Sequence, residues 1–161
     1  MCVDVLWQTR SPHHSHRRIK KYKHPNLASL PHRANQHRIK RRAIVYGVIG
    51  LGQLGTSAAS HLRVCGQEVM AADVKMGRVE NIKDDVSRAV CLDSTDEQAL
   101  RAAGFDDCRG VLMALGERNL EAAVTTAMAL VEMKIPHIVS RAANDLQAKI
   151  LTKLGVHRIV F

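Results

Sequence analysis

The chain has few aromatic residues, although its overall hydrophobic content is ordinary. Phe, Trp and Tyr make up 3% of its 161 residues, and the hydrophobic total is 46%. Proteins that bind single-stranded nucleic acid stack bases on surface aromatic rings, so this scarcity argues against that class. The length is enough for about one domain with a substantial core.

Closely spaced cysteines are also lacking. Cys2, Cys65, Cys91 and Cys108 lie far apart and form no CxxC pair. A structural zinc site needs close pairs of ligands, so the spacing argues against a metal site. We expect Cys65, Cys91 and Cys108 to be buried small side chains in a reducing cytosol, and Cys2 to be a loose thiol.

Long apolar runs are missing as well. No run approaches the length of about 20 residues that spans a bilayer, and the N-terminus lacks the apolar core of a secretion signal. The sequence therefore predicts a soluble cytosolic chain.

Acidic residues are almost absent from residues 1–42. This segment holds eleven of the 24 Lys and Arg residues and one acid, Asp4, whereas residues 43–161 hold 13 basic and 14 acidic residues. The formal charge of +9 therefore belongs to a basic tail. The tail has three prolines and no periodic pattern, so we predict that it is disordered and that a domain spans residues 43–161.

Several interpretations of this tail stay open. We favour a solvated extension, or a sequence upstream of a true start near Arg42. Alternatives are binding to nucleic acid or an anionic membrane surface through counterion release, and an organellar transit segment. The histidines at 13, 14 and 16 have no evident partner ligands for a metal.

From Ala43 onward, short apolar runs alternate with helical patterns. The predicted strands are AIVYGVIG, EVMAAD, RAVCLD, GVLMAL, HIVSRA and RIVF. Short connections of this kind need crossover helices between parallel neighbours. The chain is therefore predicted to be an α/β protein with a Rossmann-like, doubly wound, six-stranded parallel sheet in the order 3-2-1-4-5-6.

The helices between these strands have recognisable faces and ends. The first is predicted to pack through four residues at helical spacing and to end at Gly66. A capping box of Thr95 and Gln98 begins a later helix, which Gly104 ends. Asn144 and Gly155 bound the last helix. The four residues of the first helix are Leu54, Ala58, Leu62 and Cys65.

A glycine-rich turn joins the first strand to the first helix. Gly50 allows the tight turn, Gly52 leaves room for a pyrophosphate, and Gly55 lets the helix pack closely on the strand. The N–H groups at the helix start then hold the negative charge. The predicted phosphate-binding residues are Gly50, Leu51, Gly52, Gln53, Leu54 and Gly55.

An acidic residue ends the second strand. Asp73 lies 23 residues after Gly50, close to the spacing of about 20 expected for a ribose-binding carboxylate. Such a carboxylate accepts both ribose hydroxyls and repels a 2′-phosphate. We therefore predict NAD(H), ATP or ADP as ligand, and not NADP(H), with Val74 and Lys75 beside Asp73 at the site; Lys75 tempers this selectivity.

No catalytic constellation accompanies the turn. His61 lies within a helix and His137 begins a strand, and we interpret both as structural or solvent-facing. Glu117 and Arg118 follow the fourth strand at the ligand edge, where they contact phosphate or ribose, or are ordinary loop charges.

The sequence resembles the nucleotide-binding half of the regulator-of-potassium-conductance (RCK, TrkA-N, KtrA-like) domains over residues 43–161. The resemblance rests on GLGQLG, the strand-ending Asp73, DSTDEQALRAAG, IPHIVSRA and ILTKLGVHRIV. It implies that Asp93 and Ser94 contact the adenine edge. It also implies that Gly116, Glu117 and Arg141 close the phosphate side.

The resemblance implies a cytosolic gating subunit and not an enzyme. Members of the resembled family form dimers that assemble into rings beneath a potassium transporter or channel, and nucleotide occupancy of the ring changes ion flux. The basic tail departs from the family pattern, and the sequence lacks the C-terminal regulatory subdomain that usually follows.

Other functions stay open at this point. One is the cofactor half of an NAD-dependent oxidoreductase, whose substrate domain would come from elsewhere. Another is the soluble regulatory domain of a potassium/proton antiporter. A third is a nucleic-acid binder that acts through the tail.

Overall fold

Six parallel strands form one sheet in the order β3-β2-β1-β4-β5-β6, which confirms the predicted fold. A computed structural model describes residues 44–115 and 119–161. The predicted disordered tail and residues 116–118 lie outside these ranges. The strands are β1 (Val45–Ile49), β2 (Glu68–Asp73), β3 (Arg88–Cys91), β4 (Gly110–Met113), β5 (Ile138–Arg141) and β6 (Arg158–Val160).

Helices cover both faces of this sheet. Val69 and Ala71 of β2 are fully buried in one apolar cluster, while Met70 and Ala72 belong to a second cluster. Consecutive strand residues point to opposite faces, so a strand that is apolar throughout needs a cover on each side. The covering helices are α1 (Gln53–Val64), α2 (Met76–Ile82), α3 (Glu97–Ala103), α4 (Leu120–Glu132) and α5 (Asp145–Lys153), with a 3₁₀ turn at Phe105–Asp107.

Most of the predicted helix ends are confirmed. Gly66, Gly104 and Gly155 have positive φ values of 77°, 92° and 104°, which glycine adopts without a Cβ penalty. Asn144 caps α5, because its Oδ1 accepts the Gln147 N–H at 2.9 Å.

The predicted capping box at Thr95 is wrong. Asp96 is the N-cap of α3, and its Oδ1 accepts the N–H groups of Gln98 and Ala99 at 2.8 and 3.2 Å. Thr95 lies in the preceding turn, where its N–H and hydroxyl both donate to Asp93 Oδ1. The Asp93 carboxylate thus engages both donors of Thr95, and the helix begins one residue later.

The predicted packing face of α1 is also displaced. Its buried residues are Gly55 and Ala59, whereas Leu54 is 38% exposed. Of the four predicted residues, Leu62 does pack against the core, as a partly buried residue. The helix lies close to the sheet at Gly55, where an added Cβ would meet the backbone.

The expected burial of the cysteines is correct for Cys108 alone. Cys65 and Cys91 are exposed, the former at the end of α1 and the latter on the edge strand β3. Within the described ranges, no helix combines the length and the apolar character needed to cross a membrane.

Candidate functional site

A cleft of about 500 Å³ opens at the carboxyl ends of the central strands. It lies where the sheet order reverses, because β1 pairs with β2 on one side and with β4 on the other. Doubly wound sheets bind ligands at this switch point. The lining residues are Ile49, Gly50, Ala72, Asp73, Val74, Lys75, Arg78, Leu92, Asp93, Ser94, Thr95, Ala114, Leu115, Asn119 and Ala122.

The glycine-rich turn is fixed to both neighbouring strands. The Gly50 N–H donates to Ala72 O at 2.8 Å, and the Ala114 N–H donates to Ile49 O at 2.7 Å. Gly50 has a φ of 91°, and a Cβ there would lie 2.7 Å from Ala114 O. The tight turn at this position therefore requires glycine.

The other two glycines of the turn differ in their surroundings. A Cβ on Gly55 would lie 1.8 Å from Gly50 O, whereas a Cβ on Gly52 would meet no heavy atom within 4 Å. Gly52 is the N-cap of α1 and makes no side-chain cap, and the first N–H groups of a helix have no partner within it. The helix start therefore offers open space and backbone donors, which is the arrangement that binds an anion.

Asp73 connects the turn to the next strand. The side chain is 4% exposed, and its Oδ2 accepts the Leu51 N–H at 2.7 Å while its Oδ1 accepts the Lys75 N–H at 2.8 Å. Burial raises the pKa of Asp73, but these two bonds and the Arg78 guanidinium outweigh it and hold the pKa below its ordinary value. The carboxylate is therefore ionised at neutral pH.

Arg78 is a residue of this site that the sequence interpretation missed. Its Nη1 lies 3.1 Å from Asp73 Oδ2, and its side chain is 45% exposed. A signal was present, since Arg78 follows the strand-ending acid by five residues and lies in the first turn of the next helix, α2.

A second wall of the cleft follows β3 and the start of α4. Asp93 Oδ1 accepts the N–H and hydroxyl of Thr95 at 2.9 and 2.7 Å, and these bonds lower the pKa of Asp93. Ser94 is buried, and its hydroxyl lies 2.9 Å from Thr126 Oγ1 of α4. Asn119 caps α4 by accepting the Ala122 N–H at 3.3 Å. This wall combines two exposed polar residues with a buried hydroxyl pair.

The cleft contains part of the predicted set of site residues. Leu51 to Gly55 do not line it, although Leu51 bonds directly to Asp73. Arg141 ends β5 and is not among the lining residues either. Gly116 and Glu117 lie outside the described residues. Six predicted residues line the cleft, namely Gly50, Asp73, Val74, Lys75, Asp93 and Ser94.

The sheet, the turn and the strand-ending acid together define a Rossmann-like domain of the nucleotide-binding class. Residues 46–161 match the TrkA-N domain family, and the chain belongs to that family. This confirms the resemblance found in the sequence.

Two relatives in Bacillus subtilis are potassium uptake proteins. Ktr system potassium uptake protein C is 38% identical over 71% of this chain and 52% of its own length. Ktr system potassium uptake protein A is 34% identical over 76% of this chain and 54% of its own length. The chain thus spans about half the length of these relatives.

Solved structures share the fold. The TrkA-N domain of the inner membrane protein YbaL from Escherichia coli has a TM-score of 0.67 at 18% identity, over 74% of this chain and 87% of that one. The GsuK channel bound to NAD has a TM-score of 0.64 at 9% identity, over 75% of this chain and 22% of that one. GsuK bound to ADP has a TM-score of 0.61 at 24% identity, over 73% of this chain and 30% of that one.

Proposed function

We propose that this chain is a cytoplasmic regulatory subunit of a potassium uptake transporter or channel, which binds a nucleotide and couples its occupancy to potassium transport. The observation that carries the proposal is the cleft at the switch point, where the Gly50 turn meets the Asp73 carboxylate. The two Ktr relatives are potassium uptake proteins, which supports the link to potassium.

The ligand we propose is NAD(H) or ATP/ADP rather than NADP(H). Structures of GsuK bound to NAD and to ADP support this ligand class. The ionised Asp73 accepts ribose hydroxyls and repels a 2′-phosphate. Gly50 to Gly55 would hold the phosphates, and Asp93 and Ser94 would lie at the adenine edge. Arg141, with Gly116 and Glu117, would close the phosphate side.

We propose a binding role and not an enzymatic one. Among the described residues that line the cleft there is no histidine and no cysteine, and the Ser94 hydroxyl is paired with Thr126. Nucleophilic catalysis needs a base beside its nucleophile, and hydride transfer needs an acid or base near the substrate. The Thr95 hydroxyl does contact the Asp93 carboxylate, but both residues belong to the turn before α3 and their bonds shape that turn.

Regulation requires that the ligand bind two states of the protein with different affinity. The proposed states belong to a ring of homodimers on the inner face of the plasma membrane, and its partner is an integral-membrane potassium transporter or channel subunit. Nucleotide exchange would shift the ring between conformations and so change ion flux.

Calorimetry on the full chain with NAD⁺, NADH, NADPH, ATP and ADP tests the ligand. A ligand at 100 times its dissociation constant should raise the unfolding free energy by about 2.7 kcal/mol. Asp73→Ala should weaken binding, whereas Asp106→Ala, which removes an exposed carboxylate of the 3₁₀ turn, should not. If no nucleotide binds, the proposal is wrong.

Flux through the reconstituted partner separates the remaining functions. Potassium flux that responds to the bound nucleotide supports the uptake proposal. Potassium flux that requires a counterflow of protons supports an antiporter, and steady oxidation of NADH by added substrates supports an oxidoreductase.

A further inference from the structure

Two buried hydroxyl groups meet at one wall of the cleft. Ser94, in the turn after β3, lines the cleft and is 8% exposed, while Thr126 of α4 is fully buried. Their side-chain oxygens lie 2.9 Å apart, which is a hydrogen-bond distance. The two hydroxyl groups carry two protons but share one hydrogen bond, so the second proton needs an acceptor elsewhere.

The surroundings of Thr126 decide the direction of this hydrogen bond. The other buried side chains of α4 near it are apolar, namely Ala123, Ala127 and Leu130. A helical threonine can donate to the carbonyl four residues earlier, as Thr152 does to Ala148 O at 2.8 Å. Among the described residues, however, Ser94 is the one hydrogen-bond partner of the Thr126 hydroxyl. A buried hydroxyl without an acceptor is costly, so Thr126 donates and Ser94 Oγ accepts.

The proton of Ser94 can therefore point into the cleft. Ser94 Oγ receives the Thr126 proton on a lone pair, and its own O–H has no acceptor within the part of the chain that the structure describes. A hydroxyl proton rotates to suit the acceptor that is available, and the open side of Ser94 is the cleft. A bound molecule thus meets one side-chain donor here, beside the Asp93 carboxylate, which only accepts.

We propose that Thr126 positions the Ser94 hydroxyl as a hydrogen-bond donor to a ring nitrogen of the bound adenine, an inference that rests on the nucleotide site proposed above. Adenine presents ring nitrogens as acceptors and an amino group as donor. The ionised Asp93 suits the amino group, and the Ser94 proton suits a ring nitrogen. Thr126 touches no ligand in this arrangement. It is a positioning residue, because its donated proton fixes which side of the Ser94 oxygen faces the cleft.

The test measures the binding of ADP and of its 1-deaza, 3-deaza and 7-deaza analogues by calorimetry on the full chain. Each analogue replaces one ring nitrogen by C–H; if ADP does not bind and NAD⁺ does, the same analogues of NAD⁺ are used. In the wild type, one analogue should bind about three- to tenfold more weakly than its parent, the value of one neutral hydrogen bond.

Substitutions then assign this discrimination to the hydroxyl pair. Ser94→Ala should abolish it. Thr126→Val should reduce it to about twofold, because the Ser94 hydroxyl loses its fixed orientation and the support of the adjoining hydrogen bond. Thr126→Ser keeps the hydroxyl and should restore it. A purely structural role of Thr126 would weaken the parent and all analogues equally and leave their ratios unchanged.

Thr125→Val is the matched control. Thr125 is the neighbouring threonine of the same helix, but it is exposed and does not line the cleft. Its loss should leave the binding of ADP and of every analogue unchanged.

Unfolding in urea without a ligand tests the direction of the hydrogen bond separately. Ser94→Ala leaves the Thr126 proton without an acceptor in an apolar environment, whereas Thr126→Val leaves a Ser94 hydroxyl that water in the cleft can reach. The urea midpoint should therefore fall more in Ser94→Ala than in Thr126→Val. The reverse order would overturn the inference.

Three binding results would also overturn it. They are a wild type that binds the parent and all three analogues equally, a discrimination that is unchanged in Thr126→Val, and an equal loss of discrimination in Thr125→Val. If no nucleotide binds to the wild type, the proposed function itself fails. That failure is distinct, because the order of the two urea midpoints is measured without any nucleotide.

Discussion

Replacing Gly55 by alanine tests the close approach on which the whole site depends. The added Cβ would lie 1.8 Å from the backbone oxygen of Gly50 and 3.3 Å from the Cβ of Ala114. The nearest atom belongs to the backbone, so no side-chain rotation relieves the overlap. Either α1 must move away from the sheet or the turn must change its conformation.

Two opposing effects decide the size of the change. Alanine in a helix is favoured over glycine by about 1 kcal/mol, whereas overpacking costs about 1–3 kcal/mol, and more where the backbone blocks relief. A clash with a backbone atom belongs at the upper end, so we expect a net loss of at least about 2 kcal/mol. For a chain of this size the midpoint temperature should fall by roughly 6 °C or more.

Thermal unfolding followed by circular dichroism measures this loss, and two other glycines serve as controls. Gly77 in α2 and Gly52 have no heavy atom within 4 Å of an added Cβ. Gly77→Ala should be stabilising by about 0.4–1 kcal/mol. Gly52→Ala should cost less than about 1 kcal/mol, because alanine is a poorer N-cap than glycine, and it should weaken nucleotide binding. A Gly55→Ala chain as stable as wild type would refute the reasoning from close contact.

Three further predictions concern a carboxylate, a thiol and a helix cap. The pKa of Asp73 is lowered in the folded chain, so its stabilising effect is present above the ordinary carboxyl pKa and is lost as pH falls through the folded value. The urea concentration at the unfolding midpoint should therefore decrease as the pH falls below about 4. It should decrease less steeply in Asp73→Ala. Burial and adjacent carboxylates raise the pKa of Cys108 to about 12, so mass mapping after iodoacetamide treatment should find Cys91 alkylated and Cys108 unmodified. Asp96→Ala should cost about 1 kcal/mol in urea unfolding through the lost cap, and Thr95→Ala should cost less.

The order of the sheet could be predicted from the sequence because the strands are mainly apolar and each connection contains a helix. The strand EVMAAD was located to the residue, as β2 spans Glu68–Asp73. Other strands were predicted too long; RAVCLD, for example, forms a strand only over Arg88–Cys91. The apolar pattern continues past the end of the strand, because Leu92 packs against the core from outside it.

Which of several neighbouring polar side chains caps a helix could not be predicted in the same way. Asp93, Thr95 and Asp96 are all suitable for a turn or a cap, and the sequence pattern of a capping box favours threonine. In the structure Asp96 Oδ1 accepts the first N–H groups of the helix, while Thr95 lies in the preceding turn and donates twice to Asp93. Competition of this kind depends on the backbone path and is not encoded in residue spacing.

The site residues likewise divide into those that the sequence pattern predicts and those whose contacts depend on the fold. The turn and Asp73 were found because glycine and a strand-ending acid serve fixed roles at fixed spacing. Arg78 was missed because a lysine or arginine in a first helical turn is common and its partner is known only from the fold. The bond from the Leu51 N–H to Asp73 was likewise beyond any sequence pattern, since it joins two backbone segments 22 residues apart.

That bond changes how the site should respond to a ligand. The Asp73 carboxylate that would accept the ribose also holds the glycine-rich turn that would hold the phosphates. A ribose that draws on Asp73 therefore alters the restraint on the turn, and the adenosine and phosphate halves of a ligand cannot bind independently. Such coupling makes affinity depend on the whole nucleotide. A protein that is regulated by nucleotide occupancy requires this dependence if it is to distinguish one nucleotide from another.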